Sequence, residues 1–204
     1  KVSGTHCLVA IGSIPNTEGL GLEVAGVETN ESGYVVVDAV SRTSVPHIYA
    51  AGDCTGVYPL ASVAAMQGRI AMAHLLGDTV HPLRTDRVAA NIFTTPEIAT
   101  VGISEKDLAA GVYRGEAVML PLTTNPRAKM MAFQDGFVKI FARKHSGTVI
   151  GGVVVGPRAS ELIYPIALAI EKKLTVDDLA ATFAVYPSLS EAISTASRQL
   201  HTRV

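Results

Sequence analysis

Tryptophan is missing from this chain of 204 residues, and Phe and Tyr together supply only 5% of it. Large aromatic anchors therefore do not build its core. With 48% hydrophobic residues the interior is made of Ala, Val, Leu and Ile, as in buried parallel sheets and oligomer cores. There are two cysteines, Cys7 and Cys54, too far apart for a C-x-x-C knuckle or a local redox pair. Both read as buried small apolar residues. The six histidines are scattered, with no pair at helical spacing and no H-E-x-x-H, which argues against a metal site. Charge of one sign is also lacking: the formal net charge is −1 and no basic run occurs, so nucleic acid and anionic membranes are poor partners. No apolar run spans a bilayer and Lys1-Val2-Ser3-Gly4 does not resemble a signal peptide, so a soluble, cytoplasmic protein is expected. The chain starts on Lys1 without methionine and enters a strand almost at once, as a fragment would, its apolar faces meeting something outside it.

A phosphate-cradling loop is lacking too. Gly19-Leu20-Gly21-Leu22-Glu23-Val24 has valine in place of the third glycine, and a turn, not a strand, precedes it. No repeats or low-complexity tracts break the chain.

What is present divides into two modules, as the length allows. His6 to Ile11 is a short apolar run fitting a strand buried on both faces. Tyr34–Asp38 and Ile48–Ala51 read as strands with turn punctuation before them. A helical pattern runs from Leu60 to Leu76, with Gly77 as its stop. The polar stretch 77–86, broken by glycine and proline, reads as a linker. Beyond it come strands near 89–94, 97–101 and 115–121, a short helix opened by Ser104, and an antiparallel meander from Phe137 to Val155 with turns at Asp135-Gly136 and Ser146-Gly147. Helices follow at Ala159–Lys173, interrupted by Pro165, at Val176–Ala181 and at Ser188–Leu200. The fold class is α/β for the first module and α+β for the second.

Two stretches could carry chemistry. The strand "HIYAAGD" ends in Gly52-Asp53, where ligands of open α/β sheets bind: Gly52 lets a ligand approach the backbone and Asp53 can accept from sugar-like hydroxyls. Leu60-Ala61 then opens a helix whose first N–H groups are unpaired and carry the positive dipole end. Gly-Asp alone is equally a strand-end turn. In the second stretch, "FAVYPSLSEA", Ser188 and Glu191 have the spacing of a capping box, which suffices to explain them without chemistry.

The stretches "LVAIGSIPN", "TSVPHIYAAGD", "LASVAAMQGRIA", "TTPEIATVG" and "GVVVGPRASELI", in that order, resemble the C-terminal half of the FAD-dependent pyridine nucleotide-disulphide oxidoreductases, the lipoamide dehydrogenase and glutathione reductase family. The resemblance covers essentially the whole chain. It implies that residues 1–82 close the NAD(P)- and FAD-binding region and that 83–204 form the interface domain of a homodimer. It also implies that Asp53 binds the ribitol of FAD and that Leu60-Ala61 faces the flavin N1 and O2 edge. In the family's disulfide reductases a His-Pro-x-x-x-Glu motif shuttles a proton to the dithiol across the dimer interface. Here it reads Tyr186-Pro187-Ser188-Leu189-Ser190-Glu191.

Tyrosine's reference pKa of about 10 lies roughly 3.5 above that of histidine, a mismatch on the order of 5 kcal/mol for a shuttle at neutral pH. Ordinary thiol–disulfide chemistry is thereby disfavoured. The "AVYPSLS" stretch resembles actinobacterial lipoamide-dehydrogenase-like quinone reductases, which carry the same exchange. The resemblance thus implies an FAD-dependent NAD(P)H:quinone oxidoreductase, with Gly52, Asp53, Leu60 and Ala61 on the cofactor and Tyr186 and Glu191 on the acceptor side. The alternatives are a lipoamide-dehydrogenase-like disulfide reductase, or a non-catalytic dimerisation fragment if the chain exists alone. Arg127, Lys129 and Arg69 read as surface charges, and Pro165 as a kink or a displaced helix start.

Overall fold

A computed structural model describes residues 2–133 and 135–201 and divides the chain into two compact units, Lys1–Leu83 and Arg84–Val204.

The first unit holds a short helix α1 (Leu22–Ala25), a 3-10 turn at Asp53–Thr55 and a long helix α2 (Ala61–Leu75). Its small core comprises Val27, Val35, Val63, Ile70 and Ala71. Val63, Gln67, Ile70 and Ala71 form the buried stripe of α2, spaced by four, three and one. Gly77 lies at φ 81°, and the His74 and Ala73 carbonyls accept from the N–H groups of Gly77 and Asp78, closing the helix as its sequence indicates.

The three strands expected here do not form. Leu8 and Ile11 are 90% and 95% exposed, and 6–11 is extended without a ladder. The segments around Tyr34–Asp38 and Ile48–Ala51 make only isolated bridges, Thr29 with Val35 and Arg42 with Tyr49. An apolar run becomes a buried strand only when neighbours lie on both sides to take its N–H and C=O groups. Among the described residues no backbone hydrogen bond joins 6–11 to a neighbour, and the other two segments find only scattered partners, such as Val35 with Cys54, Val36 with Glu28 and Ala50 with Ser41, that do not extend into a ladder. Cys7, in the unpaired 6–11 segment, is exposed and Cys54, in the 3-10 turn, is only half-buried, contrary to their reading as core residues.

The second unit is built on a five-stranded antiparallel sheet: β1 (Ala90–Ile92), β2 (Glu97–Gly102), β3 (Gly115–Pro121), β4 (Phe137–Arg143) and β5 (Val149–Gly156), in the order β1-β2-β5-β4-β3. Helix α3 (Glu105–Ala109) follows β2 and opens on the Ser104–Asp107 capping box. Helix α4 (Pro126–Met130), capped by Asn125, lies between β3 and β4, where the sequence reading names no element. The β4–β5 hairpin turns through His145, Ser146 and Gly147, with His145 and Gly147 at positive φ.

Helices α5 (Ala159–Lys172), α6 (Val176–Ala181) and α7 (Glu191–Gln199) complete the unit. Central β5 is buried along nearly its whole length. Leu120 pairs with Val138 and Ile140 with Gly152, so these residues share one face of the sheet. They meet Ile163 and Ile166 of α5 and Ile193 and Ala196 of α7 in one core. A Cβ at Gly152 would stand 2.7 Å from Ile166 Cγ2, so the glycine lets α5 settle onto the sheet.

Pro165 neither interrupts α5 nor displaces its start: the helix runs from Ala159 to Lys172 with the proline inside it. Loss of one backbone bond is offset by burial of the flanking Ile163 and Ile166. Helix α7 begins at Glu191, three residues later than the capping-box spacing suggests. Ser188 Oγ does accept from Glu191 N–H at 3.2 Å, but the glutamate carboxylate bonds elsewhere, so only half of the box forms.

Candidate functional site

In the first unit the Gly52-Asp53 turn is fastened to α2. Gly52 adopts φ 92°, ψ −159°, a conformation that essentially only glycine tolerates. A Cβ there would lie 3.3 Å from Ala64 Cβ, in the first turn of α2. Gly52 N–H donates to Gln67 Oε1 at 2.8 Å. Gln67 Nε2 donates to Thr55 Oγ1 at 3.2 Å, and the Thr55 hydroxyl donates to the Gly52 carbonyl at 2.8 Å. Asp53, the next residue, is exposed and opens the 3-10 turn.

Leu60 is the residue before α2, extended at φ −131°, ψ 130°, and no side chain caps the helix there. The first intrahelical bond runs from Ala64 N–H to the Leu60 carbonyl at 3.0 Å. The amides of Ala61, Ser62 and Val63 precede that bond and belong to the orphan donors of a helix start, where the dipole is positive. Ala61 and Ser62 are exposed. The structure thus sets buried Gly52 against Ala64 in the first turn of α2, with exposed Asp53 directly after Gly52 and Leu60-Ala61 at the uncapped start of the same helix. A sugar-bearing, electron-rich group such as FAD fits this donor and acceptor set.

The sequence reading passed over Gln67, although a glutamine on the buried stripe of α2 is itself a signal, since a buried amide must find partners. It also passed over Tyr49 and His74, whose hydroxyl and Nδ1 lie 2.7 Å apart and tie the stretch before Gly52 to the far end of α2.

In the second unit Tyr186 and Glu191 differ in their surroundings. Tyr186 is 70% exposed, and no hydrogen bond of its side chain occurs among the described residues. Glu191 turns inward instead: Oε1 accepts from the Thr195 hydroxyl at 2.6 Å and Oε2 from Asn125 Nδ2 at 3.4 Å. Asn125, 3% exposed, also donates to the Ser188 carbonyl at 2.9 Å, while its Oδ1 accepts from Ala128 N–H at 3.0 Å. This amide was missed from sequence because its partners lie more than sixty residues away.

A cleft of about 690 Å³ adjoins the loop, lined by Arg127, Met131, Arg158, Leu162, Pro187 and Ser190. Arg127 in the cleft wall, Lys129 on α4 and Arg69 in the first unit are all exposed, as their sequence reading has it. The start of α5 is closed by Glu97, whose carboxylate accepts from Ser160 N–H at 2.9 Å. That backbone bond, with the Ser160 side chain assisting, holds the Glu97 carboxyl below its ordinary range. A second groove, of about 650 Å³, has Arg84, Arg87, Arg143 and Lys173 among its lining residues. Arg84 is paired with Asp86 and Arg87 with Glu171, each at 2.9 Å. Among the described residues no cluster of three His, Cys, Asp or Glu side chains could hold a metal ion, and no helix is long and apolar enough to cross a membrane.

Comparison with known proteins follows the same division. Residues 88–197 match the pyridine nucleotide-disulphide oxidoreductase dimerisation domain, and residues 1–68 match the pyridine nucleotide-disulphide oxidoreductase domain. The NAD(P)H dehydrogenase (quinone) of Mycobacterium tuberculosis H37Rv is 58% identical over 98% of the chain, and the match covers 40% of that protein. The dihydrolipoyl dehydrogenase of Haloferax volcanii is 40% identical over 93% of the chain and 40% of its own length. The crystal structure of LpdA from Mycobacterium tuberculosis superposes with a TM-score of 0.95 at 58% identity, over 98% of this chain and 44% of that one. The HOCl-induced flavoprotein disulfide reductase RclA from Escherichia coli superposes at 0.86 with 27% identity, over 94% of this chain and 44% of that one. The chain therefore spans about two fifths of the length of the curated relatives it matches.

Proposed function

Because the chain belongs to the pyridine nucleotide-disulphide oxidoreductase family, combining a partial FAD/NAD(P)-binding domain with the α+β dimerisation domain, we propose that it serves as part of an FAD-dependent NAD(P)H:quinone oxidoreductase. FAD, when bound, supplies the chemistry that takes a hydride from NADH or NADPH and passes electrons to a quinone. Asp53 holds a hydroxyl of the cofactor's sugar-like chain, and Gly52, packed against Ala64, shapes the turn that presents it. The uncapped amides at the start of α2 present positive potential, which favours the electron-rich reduced form of a ring system placed there.

The observation that carries the quinone reading over the disulfide reading is Tyr186. A disulfide reductase needs a group titrating near neutrality at this position, and a tyrosine does not supply one. Tyr186 instead offers an exposed aromatic ring, suited to a planar acceptor. Glu191, held by Thr195 and Asn125, keeps the loop that carries that ring in place. In this reading the second unit pairs with its counterpart in a homodimer, and the loop lines the acceptor side of the partner's flavin. Exposed Phe183, Val185 and Tyr164 are the apolar side chains such pairing would cover. In this reading the enzyme works in the cytoplasm.

The dihydrolipoyl dehydrogenase relatives support the second reading, a disulfide reductase with an altered acid. NAD(P)H-driven reduction of menadione and of lipoamide by the intact parent separates the two. Faster menadione turnover is expected, and equal or faster lipoamide turnover overturns the quinone assignment. Should the 204 residues exist alone, a dimerisation fragment without catalysis is the third possibility. A flavin-free, dimeric preparation of that polypeptide would establish it.

A further inference from the structure

We infer that Gln67 is a positioning residue for the proposed flavin site, setting the geometry of Gly52-Asp53 against the mouth of α2 through a closed circuit of three hydrogen bonds. The inference rests on the flavin reading above. Gln67 is 1% exposed, and both ends of its amide are engaged: Oε1 by the Gly52 N–H at 2.8 Å, Nε2 by Thr55 Oγ1 at 3.2 Å. The Thr55 hydroxyl closes the circuit on the Gly52 carbonyl at 2.8 Å. Both backbone polar groups of Gly52 are thereby held, one by the helix directly and one through Thr55.

Gly52 needs that hold. At φ 92° and ψ −159° it lies in a region open to glycine and closed to residues with a Cβ, and because glycine is also free to leave it, the hydrogen bonds have to fix the turn. Asp53 follows directly, so the direction of its carboxylate depends on the peptide that Gln67 fixes. Gln67 also projects from the same helix whose uncapped start faces the site. One buried amide thus links the acceptor carboxylate and the positive helix end in one rigid frame, which is what a preorganised site requires. Gln67 is buried with both ends of its amide engaged inside the protein, so its effect is exerted through Gly52 and Asp53.

The test uses the intact parent flavoprotein, stripped of FAD and titrated with it, and reads the Kd for FAD and the flavin midpoint potential. Gln67→Met keeps the volume and loses both hydrogen bonds; Thr55→Val removes one link, and Thr55→Ser restores the hydroxyl. We expect the Kd to rise about tenfold for Gln67→Met and about threefold for Thr55→Val, with a displaced potential in both, and Thr55→Ser to remain within about twofold of the unchanged protein. If Gln67→Met yields no folded protein, the Thr55 pair decides alone. Lower melting temperatures with an unmoved Kd and potential overturn the inference, because they reveal a purely structural role. Asp53→Asn distinguishes the two levels. Weaker FAD binding in Asp53→Asn beside unaffected Gln67→Met and Thr55→Val overturns only the positioning claim. Unaltered binding in Asp53→Asn removes the flavin site and the inference with it.

Discussion

Asn125 and Ser188 lie sixty-three residues apart in sequence, yet the side-chain amide of the first donates to the carbonyl of the second over 2.9 Å. The same amide reaches Glu191, and its oxygen caps α4 at Ala128. One nearly buried side chain therefore joins α4 to the loop that carries Tyr186. Asn125→Ala leaves the Ser188 carbonyl and the Ala128 N–H without these partners. Destabilisation of about 1–3 kcal/mol is expected, read from the midpoint of urea unfolding of the second unit.

Close packing of α5 on β5 gives a second expectation. A methyl at position 152 would meet Ile166, a side chain with no exposure, at 2.7 Å. Gly152→Ala should cost about 1–3 kcal/mol by overpacking. Beside Ile166→Ala, which removes the Cγ2 that the methyl would meet, Gly152→Ala should cost less than it does alone, and strict additivity in the double-mutant cycle would contradict the contact.

Tyr186 is exposed, so its substitution should leave stability within about 0.5 kcal/mol. If its ring meets the acceptor, Tyr186→Ala in the intact parent raises the KM for menadione about three- to tenfold, whereas Tyr186→Phe stays near the original value. Equal KM values for all three proteins would remove Tyr186 from the acceptor site.

Acid should weaken the second unit through its two capping boxes. The backbone N–H of Thr175, with its hydroxyl, holds the Asp178 carboxyl below the ordinary value of 3.8, and Ser104 does the same for Asp107. A carboxylate whose folded pKa is depressed contributes stability that is present above the unfolded pKa and lost as pH falls through the folded one. Asp107→Asn and Asp178→Asn should therefore be less stable than the unchanged protein near neutrality and converge with it at about pH 2. A constant difference across that range in urea midpoints would show that the ionised carboxylates are not responsible.

Much of the second unit was legible in the chain itself. Apolar runs on either side of the Ser146-Gly147 turn specify the β4–β5 hairpin, and Ser104 announces a helix start through a contact three residues long. Signals of that kind act locally, so a linear reading recovers them. The first unit was less legible because its apolar runs name strands without naming neighbours, and a strand is a property of a ladder. Gly52-Asp53 and the start of α2 could be identified as residue types suited to a cofactor.

Sequence alone, then, determined the family, the residue exchange at Tyr186 and the helix mouth at Leu60-Ala61. Tertiary structure decided that Gln67 fastens Gly52 to α2, that Glu191 faces inward to Thr195 and Asn125, and that α5 passes through Pro165 unbroken. The physical reason is the same in each case. Local propensity depends on neighbours a few residues away, but a buried amide or carboxylate takes its orientation from whichever donors and acceptors the packed chain brings within about 3 Å.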